Sequence, residues 1–203
     1  MSSEDVNASD LALIRRCRDG DVEAFGHLVT RHQDRLYGTL VHMLGSLEEA
    51  RDVSQDAFVL AFRKLSTFRG DSAFYSWLFR IAYNAAMTRR RKERRRRHAS
   101  LDAVKEQSGA EPADDRDGSD PGDSLHSQER QAIVQQALGE LAEIYRTPLV
   151  LKEIEGLQYD EIAEVVGCPI GTVRSRIHRA RKEMKEKLAR TLKSEVEGFS
   201  DSP

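Results

Sequence analysis

The sequence predicts an all-α chain: two helical domains joined by a flexible acidic linker, the second ending in a helix-turn-helix. Three observations carry that prediction. Apolar residues recur at three- and four-residue steps through both halves of the 203-residue chain, and no convincing strand alternation interrupts them. Between the halves, from Ser100 to about Ser124, the chain is rich in Asp, Ser, Gly, Ala and Pro and has almost no large apolar residue after Val104. Such a segment cannot bury enough surface to offset its chain entropy. Charge is segregated as well. Residues 89–97, RRRKERRRR, hold eight bases and one acid; residues 102–123 hold eight acids and two bases; residues 170–190 hold eight bases and two acids. The expected boundaries are 8–98 for the first domain, 99–125 for the linker and 126–194 for the second domain.

The elements follow in order. Asp10 is placed to cap a short helix carrying Leu11, Ile14 and Cys17, which Gly20 stops. Asp21 is placed to cap a longer one, whose apolar stripe is Phe25, Leu28, Val29, Leu36, Leu40 and Met43, with Gly45 at its end. Ser46 and Glu49 have the spacing of a capping box for a helix with Ala50, Val53, Ala57, Phe58, Ala61 and Leu65 on one side. Residues 66–72, STFRGDS, are a loop, and AFYSWLFRIAYNAAM begins a helix that runs into the basic block. Beyond the linker, Ile133, Ala137, Leu138 and Leu141 mark one helix. Thr147 and Pro148 suggest the N-cap and first turn of the next, which Gly156 stops. A short helix over 158–166, a turn at Gly167-Cys168-Pro169 and a long basic helix over 170–192 complete the chain.

Composition excludes several classes of function. Lys and Arg total 32 against 34 Asp and Glu, a net charge of −2, so this is not a globally basic coat protein for nucleic acid. No apolar run approaches the ~18 residues of a membrane span, and MSSEDVNASD is too acidic for a secretory signal. Two cysteines, Cys17 and Cys168, supply neither a disulfide framework nor a metal set. The chain reads as cytoplasmic and reduced. Enzymatic motifs are missing: there is no P-loop, no G-x-G-x-x-G after a strand, no G-x-S-x-G and no H-E-x-x-H. The six histidines, at 27, 32, 42, 98, 126 and 178, have no ligand spacing and read as scattered surface or boundary residues. No cofactor and no catalytic residue is expected.

Two constellations point to nucleic acid. A short helix, a glycine-containing turn and a longer helix is the helix-turn-helix pattern. Ile162, Val166, Val173 and Ile177 supply its inner face, and Ala163 permits close crossing. The second helix then presents Thr172, Arg174, Ser175, Arg176, His178, Arg179 and Arg181. Arginine suits both phosphate contact and bidentate readout of guanine edges. In the first domain, Phe68, Phe74, Tyr75, Trp77, Phe79 and Tyr83 are interleaved with Arg69 and Arg80. Aromatic rings beside cations and a polar loop suit single-stranded DNA, although an amphipathic helix needs some of those rings, Phe79 among them, for its core.

With these residues in view, FRGDSAFYSWLFRIAYN and GLQYDEIAEVVGCPIGTVRSRIHRARKEMKEKL resemble the melting and upstream-recognition regions of extracytoplasmic-function sigma factors, the small two-domain branch of the sigma-70 family. The match is of the sigma-E type, and ARDVSQDAFVLAFRKL resembles that family's polymerase-binding helix. The resemblance spans about residues 10–192. It implies a sigma region 2 bundle and a sigma region 4 helix-turn-helix. It also implies core RNA polymerase, through its β′ and β subunits, promoter DNA and an anti-sigma factor as partners. By position, Asp52, Gln55, Asp56 and Phe58 match the polymerase-facing motif. Gly70, Asp71, Ser72, Ala73, Phe74, Tyr75, Trp77, Arg80 and Asn84 match the part that captures the opened −10 strand. The upstream helix residues given above match the −35 reader, with His178 where close relatives often carry an aromatic. Opening a duplex costs a few kcal/mol per flipped base, and stacking on an aromatic side chain returns about 1–3 kcal/mol. The competing possibility is a stand-alone helix-turn-helix regulator, which would bind duplex DNA tightly without polymerase.

Overall fold

The computed structural model describes the backbone of residues 3–101 and 123–200, and the side chains of 5–96 and 131–191. It is helical throughout, with no strand among the described residues. The chain divides into two compact units. Helices α1 (Ser3–Arg18), α2 (Glu23–Leu44), α3 (Leu47–Lys64) and α4 (Phe74–Leu101) precede the acidic stretch. Helices α5 (Asp123–Gly139), α6 (Glu143–Glu153), α7 (Tyr159–Val166) and α8 (Ile170–Ser200) follow it.

In the first unit the predicted stripes are the core. Leu28, Leu36 and Leu40 of α2, and Ala50, Val53, Ala57 and Ala61 of α3, are almost completely buried; the end of α2, from Val41, groups with the second unit. Helix α3 packs against α4, and Glu49 ties the two by accepting both N–H groups of the Arg90 fork at 2.8–2.9 Å. Gly45 closes α2 in the left-handed region at φ +73°, its N–H on the Val41 carbonyl at 2.9 Å. Asp21 caps as expected, its carboxylate accepting the Ala24 N–H at 3.2 Å. Arg16, 2.6 Å away, holds that carboxyl below the ordinary carboxylate range.

The structure departs from the sequence expectation at Asp10, at His32 and, in the second unit, at Thr147 and Pro148. Asp10 does not begin a helix. Helix α1 starts at Ser3, and Asp10 sits inside it, buried against His32 and Arg31 of α2. His32, expected at a surface or boundary, is likewise buried by that pairing. Inside the bundle both carboxylate oxygens find a partner, where a helix end would offer a backbone N–H.

In the second unit Leu138, Leu141, Leu149, Val150 and Ala180 form one cluster, flanked by Tyr145 and Met184. Thr147 and Pro148 are not the start of α6. The Ala142 carbonyl already accepts the N–H groups of Tyr145 and Arg146 at 2.9 Å, so the helix begins a turn earlier and buries both residues in its interior. Of the predicted linker, 102–122 lies outside the described residues. The flanking helices run into its two ends, to Leu101 and from Asp123, and α8 continues past the expected end at 192. No helix among the described residues is long and apolar enough to cross a membrane.

Candidate nucleic-acid interface

The helix-turn-helix forms where the sequence places it. Glu161 accepts the Gln158 N–H at 2.8 Å and opens α7. Gly167 ends it in the left-handed region at φ +67°, with its N–H on the Ala163 carbonyl at 2.9 Å. Pro169 then hands its carbonyl to the N–H groups of Thr172 and Val173, starting α8. Of the expected inner face, Ile162, Val173 and Ile177 are buried, as is Ala180, whereas Val166 is only half-buried and its neighbour Val165 is the buried valine of α7. By helical geometry the residues opposite this stripe face solvent. They are Arg174, Ser175, His178 and Arg179, all exposed, and Lys182, which the sequence reading did not single out.

The expected upstream residues are therefore not equivalent. Arg174 lies over the Tyr159 ring, 5.7 Å from its centroid. Arg179 donates to the Tyr145 hydroxyl at 3.0 Å, a bond that raises its already high pKa. These contacts hold the two arginines at separate edges of the exposed face. Ser175 donates to the Thr172 carbonyl at 2.9 Å. Arg176 stands on the flank, with Nη1 3.5 Å from Cys168 Sγ, and Thr172 is half-buried. Arg181 turns toward α6 and holds Glu153 at 2.6 Å. Before any DNA binds, Arg181 is thus engaged within the protein.

The expected −10 segment divides more sharply. Gly70 and Asp71 are exposed and Ser72 and Ala73 half-exposed, in a loop that bends at Gly70 with φ +83°. Asn84 is exposed and Arg80 partly so, four residues apart on α4. The same stripe continues through Thr88, Arg91 and Arg95 into the basic block, a continuity that a segment-by-segment reading misses. Phe74, Tyr75 and Trp77, in contrast, are 0%, 5% and 8% exposed. Trp77 packs on Phe68 and Phe74 at centroid distances of 5.2 and 5.8 Å. Tyr75 places its hydroxyl 3.2 Å from Thr39 Oγ1 and its ring under Arg35. In this conformation the three rings form the wall beneath the loop and offer no open face to a base.

The expected polymerase motif is similarly split. Gln55 and Asp56 are exposed on α3. Asp52 is held by Arg89 at 2.8 Å, which raises the pKa of that guanidinium further. Phe58 is buried at 8% exposure and serves the core. Beyond Leu47 at its first position, the large apolar groups that α3 exposes are Val59 and Phe62, at 52% and 42%. A single stripe pattern could not separate them from the core, because Phe62 also meets Phe25 edge-on at 5.0 Å. In the basic block, Arg89 and Arg90 point back to α3, whereas Arg91, Lys92, Arg94, Arg95 and Arg96 are exposed.

Comparison with known proteins places these two surfaces in a family context. Residues 28–96 match the model for sigma-70 region 2, and residues 131–184 the model for sigma-70 region 4. The chain is 41% identical to the RNA polymerase sigma-H factor of Pseudomonas aeruginosa, over 91% of this chain and 96% of that one. It is 39% identical to the ECF RNA polymerase sigma-E factor of Escherichia coli, over 89% and 94%. Among solved structures, it is similar to the sigma factor RpoE of Bartonella quintana, crystallised with the anti-sigma factor NepR. That match has a TM-score of 0.63 and 27% identity, and covers 81% of this chain and 96% of that one. It is also similar to CnrH in complex with the cytosolic domain of CnrY, with a TM-score of 0.62 and 28% identity over 89% and 97%.

Proposed function

The chain belongs to the extracytoplasmic-function branch of the sigma-70 family, and from that premise we propose how its residues divide the work of directing promoter-specific transcription initiation. The first domain, 8–98, docks on core RNA polymerase and captures the opened −10 strand. The second, 126–194, reads the −35 element as duplex. The stretch 99–125 tethers them. The observation that supports this most is the face of α8: Arg174, Ser175, His178, Arg179 and Lys182 stand exposed on the side opposite Val173 and Ile177, in a helix-turn-helix. Exposed arginines at that spacing suit a major groove.

For the −10 strand, the loop Gly70–Ala73 with Arg80 and Asn84 makes first contact. Phe74, Tyr75 and Trp77 shape the wall behind it, so capture of a flipped base draws on the loop and the cations more than on open stacking. For polymerase, Gln55, Asp56, Val59 and Phe62 give α3 an exposed mixed surface. Asp52 joins it once Arg89 lets go, and Phe58 supports it from the core. An anti-sigma factor is the expected regulator, and the cytoplasm, where polymerase is, the expected compartment.

The test is run-off transcription with core polymerase on a promoter library. Transcripts should appear only when both components are present, and the free chain should bind promoter duplex weakly. Nanomolar, sequence-specific binding by the chain alone at physiological salt, without polymerase-dependent transcripts, would instead identify a stand-alone regulator.

A further inference from the structure

We propose that helix α1 is a clasp that fixes the loop between α3 and α4, with Arg18 as the positioning residue at the loop's entry and the Asp10–His32 pair anchoring its exit. The proposal rests on reading that loop as the capture site for the −10 strand.

The chain entering the loop ends α3 in a 3-10 turn, Leu65–Thr67. The Leu65 carbonyl accepts the Phe68 N–H at 3.2 Å in that turn and keeps a second lone pair, and carbonyls at a helix end carry partial negative charge. Arg18 adds a cation and two donors there. Its Nε and Nη2 donate to the Leu65 carbonyl at 3.3 and 2.8 Å, and Nη2 also donates to the Phe68 carbonyl. One guanidinium from the end of α1 thus grips the main chain on both sides of the turn. Further along, Gly70 lies against α1: a Cβ placed on it would stand 3.6 Å from Leu11 Cδ2.

The exit is tied through a different side chain of the same helix. Asp10, 2% exposed, takes His32 Nε2 at 2.8 Å and Arg31 Nη1 at 2.5 Å. The His32 ring is 5.5 Å from Phe74 and 5.8 Å from Tyr75, the first two residues of α4. Both ends of the loop are therefore referenced to one helix, and Gly70–Ser72 is held out between them. A purely apolar role for α1 is already filled by Leu13 and Ile14, which are buried. Burying a carboxylate adds little net stability over apolar packing, but a directed polar contact specifies geometry. That is what a loop needs if it is to meet one nucleotide in one register.

The test compares Arg18→Met, which keeps the stem and removes the donors, with Arg18→Lys, which restores a donor. Three affinities are measured. They are those of the chain for core polymerase, of holoenzyme for a −35 duplex, and of holoenzyme for a single-stranded −10 oligonucleotide from the promoter recovered in run-off. Arg18→Met should lose about tenfold on the single strand only, with faster amide exchange at 68–73. Arg18→Lys should recover part of both. A loss spread equally over all three affinities would reduce Arg18 to a structural residue and overturn the clasp. So would an unchanged single-strand affinity where Asp71→Ala and Ser72→Ala weaken it. If the loop variants themselves leave single-strand binding intact, the capture assignment fails first, and the clasp with it.

Discussion

The helix-turn-helix and the proposed −10 segment carry the same two residue types, arginines and apolar groups, yet they use them in opposite ways. On α8 the two are sorted by face: Val173, Ile177 and Ala180 are buried, and Arg174, His178 and Arg179 are exposed. In the loop and the first turn of α4 the rings that might have met DNA are instead the core of their unit. An amphipathic helix encodes its binding face as whatever its buried stripe leaves over. A loop backed by a helix N-terminus has no such rule, and an aromatic there serves equally as a wall or a stacking platform. The contrast predicts that substitutions in the two places fail differently.

The largest effect is expected at Trp77. Replacing a buried ring by alanine costs about 3–5 kcal/mol, so Trp77→Ala should lower the melting temperature of its unit and weaken polymerase binding together with strand opening. A pre-opened −10 bubble should then rescue little. Normal stability combined with bubble-rescued opening would break the comparison, because it would mean that the ring leaves the core to stack on a base.

Arg174→Ala and Arg179→Ala should behave in the opposite manner. Exposed substitutions of this kind change stability by about 0.5 kcal/mol or less. Loss of a guanine contact costs about 1–3 kcal/mol and relaxes preference at one base pair, whereas loss of a phosphate contact weakens all promoters alike and lowers the salt slope by about one unit. At least one of the two should show the base-specific pattern in a −35 mutant panel. Uniform weakening in both would leave readout to Ser175, His178 or DNA shape.

How much of this was legible in the sequence follows from the same contrast. The stripes of α2, α3 and α8 and the exposed arginines could be read because a single periodicity accounts for each, and the turn at Gly167–Pro169 because its residues end a helix; on the short α7 the same reading turned Val166 inward where Val165 is buried. Asp10 was misplaced because an acid before an apolar run has the pattern of a cap, and only the tertiary partners His32 and Arg31 show that it is buried. Thr147-Pro148 misled for a similar reason: local chemistry suits a helix start, but the preceding turn was already helical. Phe58 and the exposed pair Val59 and Phe62 lie on adjoining faces of one helix, and pattern alone does not say which face meets the bundle. Asp52 and Arg89 are far apart in sequence, so their pairing could not be read from spacing.

The turn itself offers a third test, smaller and confined to the second unit. Gly167 has φ +67°, and nothing lies within 4 Å of the position a Cβ would take. Gly167→Ala should therefore cost only the backbone strain of a left-handed L-residue, about 1–2 kcal/mol. It should loosen −35 binding by tilting α7 against α8, and leave polymerase binding, proposed to run through α3, untouched. A loss of polymerase binding would show that the two surfaces are not independent.

The smallest effect sharpens the comparison most, because it concerns an arginine that the helical face does not decide. Arg181 was expected to contact DNA, but in the free chain it is held by Glu153 at 2.6 Å, with both side chains about half exposed. An exposed pair of this kind contributes about 0–1 kcal/mol, so Glu153→Gln should barely change stability. What it should change is the availability of the charge. If Arg181 reaches a phosphate in the complex, wild-type protein must first break the pair, and the variant need not. Glu153→Gln should then bind all −35 duplexes slightly more tightly, while Arg181→Ala loses about one unit of salt slope. If both variants match wild type in affinity and slope, Arg181 is a brace between α6 and α8, and the DNA face of this helix is limited to the residues directly opposite its buried stripe.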